Sequence, residues 1–291
     1  MRKPFIFALI SLFALAAPAM AEPSALYEFD AKAPLNPVLG AEKKISANAV
    51  SQPVTFDGGD KRKVIGQIIR STMPGSHPGI LFVHWLGEEK TSNFTEFESD
   101  AIALADKGVT SVMVNALWSD PKWFDTVGHN ANADIAQAAA QVIDLRRALD
   151  LLQAQKGIDS RHIAVVGHDF GGMFSALLAT VDTRPKAYVF LAAVPTFSEW
   201  YLLGKKAPNS DYVTLLDTTL DITGALKSAK AKGFLFQFAN SDRYVPLDRA
   251  RILVDATPLP HGDFLYKADH DLDVPEAHRD RRAWLIGQLF D

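Results

Sequence analysis

The sequence predicts an α/β fold: a mostly parallel, twisted sheet flanked by helices, with an antiparallel hairpin at one edge. Three observations carry this. Short apolar runs rich in β-branched and aromatic residues recur at Ile80–Val83, Val109–Val114, Ile163–Val166, Lys186–Ala192 and Gly233–Ala239, as expected of strands buried on both faces. Helix-forming stretches alternate with them. Before them, Val50–Phe56 and Val64–Ile69 flank the turn signal Asp57-Gly58-Gly59-Asp60, which reads as a hairpin.

The elements follow in order. Residues 1–21 begin with Arg2 and Lys3, continue with an apolar run from Phe5 to Ala17, and end in Ala19-Met20-Ala21. A basic start, a short apolar segment and an A-x-A site form a secretory signal peptide. Residues 22–49, rich in Ala, Pro and Lys, read as an irregular arm. Residues 50–291 form one domain. Thr91–Lys107 reads as a helix closed by Gly108. Asn115–Asn130 is a loop carrying Trp118, Trp123 and Phe124, and Ala131–Lys156 a long amphipathic helix with Ile135, Val142, Leu145, Leu149 and Leu152 near helical spacing. A helix follows the strand at Ile163–Val166. The segment Ala193–Lys232 is a connecting excursion, Pro246–Asp255 a helix, Phe264–Lys267 a short strand, and Pro275–Phe290 a final helix.

The stretch that organises the chain is Gly167-His168-Asp169-Phe170-Gly171-Gly172, between a buried strand and a helix of small apolar residues. In a sharp strand-to-helix turn the central residue takes a strained backbone that lifts its side chain above the sheet. The flanking glycines are needed because a Cβ there would strike a neighbouring strand or helix. The helix start adds free N–H groups and partial positive charge. Two further residues fall at strand ends downstream. Asp242 follows the strand Gly233–Ala239, and His270 lies in the loop between the last strand and the last helix. The order is apex, acid, histidine. Singly, Asp242 reads equally as a turn or helix-cap residue, and His270 as a surface histidine; together and in order they form a triad.

These residues resemble the α/β-hydrolase superfamily, in its compact dienelactone-hydrolase-like branch, over Val50 to the C-terminus. The stretches ILFVHWLG, RRALDLLQAQKGIDSRHIAVVGHDFGG, NSDRYVP and ADHDLDVPEAHRDRRAWL carry the resemblance. Gly-x-Asp-x-Gly corresponds to the nucleophile elbow. Most members place Ser at the apex; the tripeptide Gly-His-Asp is locally similar to epoxide hydrolases and haloalkane dehalogenases, which place Asp there. Their His-Gly-x-Pro loop has a counterpart only in His84-Trp85-Leu86-Gly87, their Trp after the apex is Phe170, and Ala193–Lys232 leaves room for a short or minimal cap.

An Asp apex changes the chemistry. A carboxylate is ordinarily ionised at neutral pH and attacks without a base. Attack on a saturated carbon bearing a leaving group gives a stable alkyl ester, whereas attack on an ester gives an anhydride. The resemblance therefore implies an epoxide or alkyl halide, with Asp169 as nucleophile and His270, aligned by Asp242, activating water. Backbone N–H groups of Phe170 and of Trp85 or Leu86 are expected to hold the oxyanion. His84, Trp118, Trp123, Trp200 and Tyr201 are candidate substrate-binding residues, Tyr201, Tyr212 and Tyr244 are candidate donors to an epoxide oxygen, and Trp85, which follows its strand directly, is the favoured tryptophan to line the pocket or cradle a halide. Two rivals stand beside this reading: an ester or lactone hydrolase in which Asp169 acts as base on water, and a binding protein that has lost its Ser.

Composition bounds the rest. The chain has 291 residues, 48% hydrophobic and 22% charged, enough for a sizeable core. It has no cysteine, which removes disulfides and thiolate chemistry. The formal charge of −4, deepened by loss of Arg2 and Lys3, argues against nucleic acid as partner. The expected partner is a small-molecule substrate; no membrane contact is expected once the signal is cleaved, and the mature protein is expected in the periplasm or medium. No cofactor or metal is expected. G-x-G-x-x-G does not fit the elbow spacing, His84 and His129 lack partners at ligand spacing, and Asp269, Asp271 and Asp273 lack the Gly and Glu of a calcium loop.

Overall fold

A computed structural model describes residues 23–88, 90 and 92–290. The expected signal peptide and Thr91, the expected start of a helix, lie outside the described residues.

Ten strands form one mixed sheet among the described residues. In chain order they are β1 (Val38–Leu39), β2 (Lys43–Lys44), β3 (Ala49–Asp57), β4 (Lys63–Ser71), β5 (His77–Val83), β6 (Thr110–Val114), β7 (Ile158–His168), β8 (Ala187–Leu191), β9 (Gly233–Ala239) and β10 (His261–Tyr266). The spatial order is β1-β3-β4-β6-β5-β7-β8-β9-β10, with β2 also on β3. The pairs from β6 to β10 are parallel, and the β3–β4 hairpin joins antiparallel through β4 to β6. Strands β5, β6, β8 and β9 are buried at every position, which is why they read as continuous apolar runs. Within the arm expected to be irregular, β1 and β2 add two exposed two-residue strands to the antiparallel edge.

Eight α-helices among the described residues flank the sheet: α1 (Glu98–Ala105), α2 (Ala131–Gln153), α3 (Phe170–Val181), α4 (Phe197–Leu202), α5 (Tyr212–Thr219), α6 (Ile222–Ser228), α7 (Leu247–Ala256) and α8 (Pro275–Phe290). The helix expected over 91–107 is split. Asn93 caps a 3-10 turn at Phe94–Phe97, its side chain accepting from Thr95 N–H, and only then does α1 begin. Gly108 follows with φ 99°, a backbone suited to glycine. The excursion after β8 folds into α4, α5 and α6. Asp134 at the start of α2, fully buried, ties it down by accepting from the Tyr212 hydroxyl at 2.6 Å and Gly128 N–H at 3.0 Å.

A buried ionic network fixes the C-terminal helix. Asp100 accepts from Arg281 at 2.5 and 2.8 Å and from Arg282 at 2.5 Å, while Arg281 also donates to Gln237 on β9 at 2.7 Å. Against the upward push of burial, Arg281, His278 and Arg282 hold the Asp100 carboxyl well below the usual carboxylate range. The network joins α1, α8 and the strand that leads to Asp242.

Candidate active site

The turn between β7 and α3 is the strained elbow expected from its glycines. Asp169 has φ 58° and ψ −121°, a conformation rarely adopted by residues other than glycine. A Cβ on Gly167 would stand 2.2 Å from the Gly171 carbonyl oxygen, and one on Gly171 would stand 2.1 Å from that of Val83 on β5. Each flanking glycine is therefore set by a backbone oxygen that cannot yield.

Asp169 is almost fully buried. Its Oδ2 accepts from the backbone N–H of Leu86 at 2.8 Å, and its Oδ1 has no hydrogen-bond partner among the described residues. Burial pushes its carboxyl well above the ordinary range. The N–H groups of Leu86 and Phe170 oppose this, and the negative charges of Glu96 and Asp242 reinforce it. The expected oxyanion donors thus separate. Leu86 N–H already points at the apex carboxyl, and Phe170 N–H lies at the start of α3. Trp85 N–H is taken by Glu96 Oε2 at 2.7 Å, so Trp85 contributes its ring and not its backbone.

Asp242 and His270 meet. Nδ1 of His270 lies 2.7 Å from Oδ2 of Asp242, whose side chain is 1% exposed. The other oxygen of Asp242 is held by Tyr244 N–H at 2.7 Å and Val245 N–H at 3.1 Å. The aspartate therefore behaves both as the turn residue its sequence suggests and as the partner of the imidazole. Burial pulls the His270 pKa down, and Asp242 opposes this. Nδ1–H directed at Asp242 leaves Nε2 as the basic nitrogen.

Asp169 and His270 face one cavity of about 700 Å³. Trp85, Leu86, Phe170 and Trp200 form apolar walls, and Arg243 and Tyr244 stand on its lining near His270. Trp200 packs edge-on against Phe170 at 5.0 Å and His270 at 5.7 Å between ring centres. The other candidates for substrate contact lie elsewhere. Trp118, Trp123 and Tyr201 are buried in an aromatic cluster around Phe170 and Phe174, supporting the wall from behind. His84 is fully buried, its pKa lowered to about 4 by burial. Its Nδ1 donates to the Trp85 carbonyl at 2.7 Å, and its Nε2 accepts from Ala116 N–H at 3.1 Å. It shapes the loop that presents Leu86 and does not line the cavity.

Two residues at the site were given no role by the sequence. Glu96 and His168 join beneath the cavity, with Nδ1 of His168 at 2.7 Å from Oε1 of Glu96. Asn93 and Glu96 have the spacing of a helix capping box, which disguises Glu96 as a cap. No group of three His, Cys, Asp or Glu side chains suited to a metal ion occurs among the described residues, and no helix among them is long and apolar enough to cross a membrane.

No family model matches the chain, and no curated protein matches it by sequence. Solved structures do. An acetyl xylan esterase from a Paenibacillus species is similar with a TM-score of 0.72 at 16% identity, covering 92% of each chain. Acetyl xylan esterase 1 from a Thermoanaerobacterium species is similar with a TM-score of 0.68 at 14% identity over 89% of each. A cold-adapted esterase from an Arctic intertidal metagenomic library is similar with a TM-score of 0.63 at 15% identity, covering 86% of this chain and 97% of its own. The chain has the α/β-hydrolase fold.

Proposed function

We propose that this protein is a hydrolase that works through a covalent ester on Asp169, acting on a small molecule with an electrophilic saturated carbon, an epoxide or an alkyl halide. The observation that carries this is the division of labour within the apex carboxyl. One oxygen is anchored on Leu86 N–H and the other has no partner among the described residues, in a cavity shared with a histidine that an aspartate aligns. Oδ1 attacks the carbon, the carbon–leaving-group bond breaks with its electron pair, and an alkyl ester remains on Asp169. Nε2 of His270 then takes a proton from water, and the hydroxide adds to Cγ of Asp169. The negative charge develops on Oδ2, where Leu86 N–H stands. Collapse expels an alkoxide bearing the oxygen that had been Oδ1, which takes the proton back from His270 Nε2 and leaves as the alcohol. Trp85 and Trp200 line the cavity, and their Nε1 atoms are buried donors without partners among the described residues.

The similar structures titled esterases favour a second reading, ester or lactone hydrolysis with Asp169 as base. The same Leu86 contact weighs against it, because Asp169 fills the donor that a substrate oxyanion would need. A dienelactone-hydrolase-like ancestry fits both. Export by a leader over residues 1–21 belongs to the same proposal; N-terminal sequencing of the mature protein tests it, with a start at Glu22 expected and a start at Met1 contradicting it.

The test is trapping. His270→Gln keeps the nucleophile and removes the base, so with the right member of a panel of epoxides, haloalkanes and nitrophenyl esters its intact mass should rise by one alkyl group, located on the Asp169 peptide. Turnover of esters alone, surviving in Asp169→Asn, would overturn the reading.

A further inference from the structure

The reaction above makes no direct use of His168, yet this histidine is completely buried at the centre of the site. Its Nδ1 lies 2.7 Å from Oε1 of Glu96 and its Nε2 lies 2.9 Å from the backbone carbonyl oxygen of His270. The carbonyl can only accept, and an ionised carboxylate can only accept. A neutral imidazole has one N–H and serves one of them. The other contact would then set two lone pairs against each other. A doubly protonated ring serves both.

The alternative is a neutral pair with the proton on Glu96. Two observations favour the ion pair. The other oxygen of Glu96, Oε2, accepts Trp85 N–H at 2.7 Å, which stabilises the carboxylate, and an imidazole is ordinarily about a hundredfold more basic than a carboxylate. The Trp85 ring also lies flat on His168, at 5.2 Å and 9° between planes, an arrangement that suits a cation.

We propose that His168 is a positioning residue, held as an imidazolium by Glu96, whose two ring N–H groups lock the His270 loop to the loop that presents Leu86. The proposal rests on the reading of Asp169 and His270 given above. Three strand ends meet at this pair: the end of β5 through Trp85, the elbow through His168, and the loop after β10 through the His270 carbonyl. The charged and titratable groups that face the ring are Glu96 from the 3-10 turn, Asp169 beside it in the chain, and His270 with Asp242 behind it. The positive charge also opposes protonation of His270, which keeps the base free.

Glu96→Gln separates charge from geometry. Its amide oxygen accepts Trp85 N–H, its amide N–H donates to Nδ1, and a neutral His168 still donates Nε2–H to the His270 carbonyl. His168→Phe keeps the stack on Trp85 and removes both donors.

The experiment is nitrogen NMR of histidine-labelled protein without substrate, paired with kcat and KM on the substrate found by the panel. The wild type should show one histidine, absent in His168→Phe, with both ring nitrogens protonated in the resting protein. In Glu96→Gln that residue should carry one ring proton. In His168→Phe, kcat should drop on the order of 100-fold with KM little changed, and the low-field proton between His270 and Asp242 should broaden or shift. A single ring proton on wild-type His168, or an unaltered His270 proton and kcat in His168→Phe, would overturn the proposal. An inert panel would overturn the Asp169 chemistry alone, because ring protons are counted on the resting protein.

Discussion

Asp169→Asn is expected to make the protein more stable at neutral pH while abolishing its chemistry. The wild-type carboxyl is buried, and burial pushes its pKa up, with Glu96 and Asp242 adding repulsion. A carboxyl whose pKa is higher in the folded state than in the unfolded one supports folding fully at acid pH. That support is lost as pH rises from the unfolded value towards the folded one. The loss runs at about 1.4 kcal/mol per pH unit, so between an unfolded pKa of about 3.9 and pH 7 it reaches at most about 4 kcal/mol. The asparagine side chain has no proton to lose and keeps an oxygen for Leu86 N–H. Its amide N–H replaces the unpartnered Oδ1, and a buried unpaired donor costs about 1–3 kcal/mol. The net gain at neutral pH is therefore at most about 3 kcal/mol, and each kcal/mol raises Tm by about 2–4 °C. The assay is thermal unfolding of both proteins from about pH 4 to pH 8. The advantage of the variant should grow with pH and vanish or reverse near pH 4. A difference independent of pH, or a variant less stable throughout, would refute the reasoning.

Further outcomes follow from the same geometry. The acid limb of kcat/KM should lie above the ordinary carboxylate range, because the proposed attack needs Asp169 ionised and burial raises it, whereas His270 is free at lower pH than a usual histidine because burial lowers it; a limb at an ordinary aspartate value contradicts this. Asp100→Asn should lower stability by about 3–5 kcal/mol in denaturant unfolding, since it strands the buried guanidinium of Arg281, which is 2% exposed. The wild type should lose that support as pH falls, because the Asp100 carboxyl is held low; a change under about 1 kcal/mol would show that the pair carries little net stability.

The parts of the fold governed by local rules were legible. Strands buried on both faces announce themselves as apolar runs, and the elbow announces itself through glycines whose Cβ atoms would strike backbone oxygens. Asp242 and His270 were legible because a parallel sheet brings the ends of its strands to one edge, so order along the chain translates into proximity. What remained hidden depends on long-range pairing. Glu96 and His168 are 72 residues apart, and Glu96 has the spacing of a helix cap, so nothing local marks it as the partner of the elbow. Trp85 was legible because it follows β5 directly, and it lines the cavity; the other tryptophans were visible as a set but not as individuals. Trp200 reaches the cavity while its neighbour Tyr201 packs behind Phe170, a distinction of one helical position. Strands β1 and β2 escaped notice because they are short, exposed and borrow their hydrogen bonds from β3.

The account turns on where the product oxygen comes from. With enzyme in excess over substrate in heavy-oxygen water, a single turnover should give an alcohol without label at the attacked carbon and one heavy oxygen in the Asp169 carboxyl, read by mass spectrometry of its peptide. Label in the product and none in Asp169 would mean that water attacks the substrate directly and that no ester forms on the enzyme.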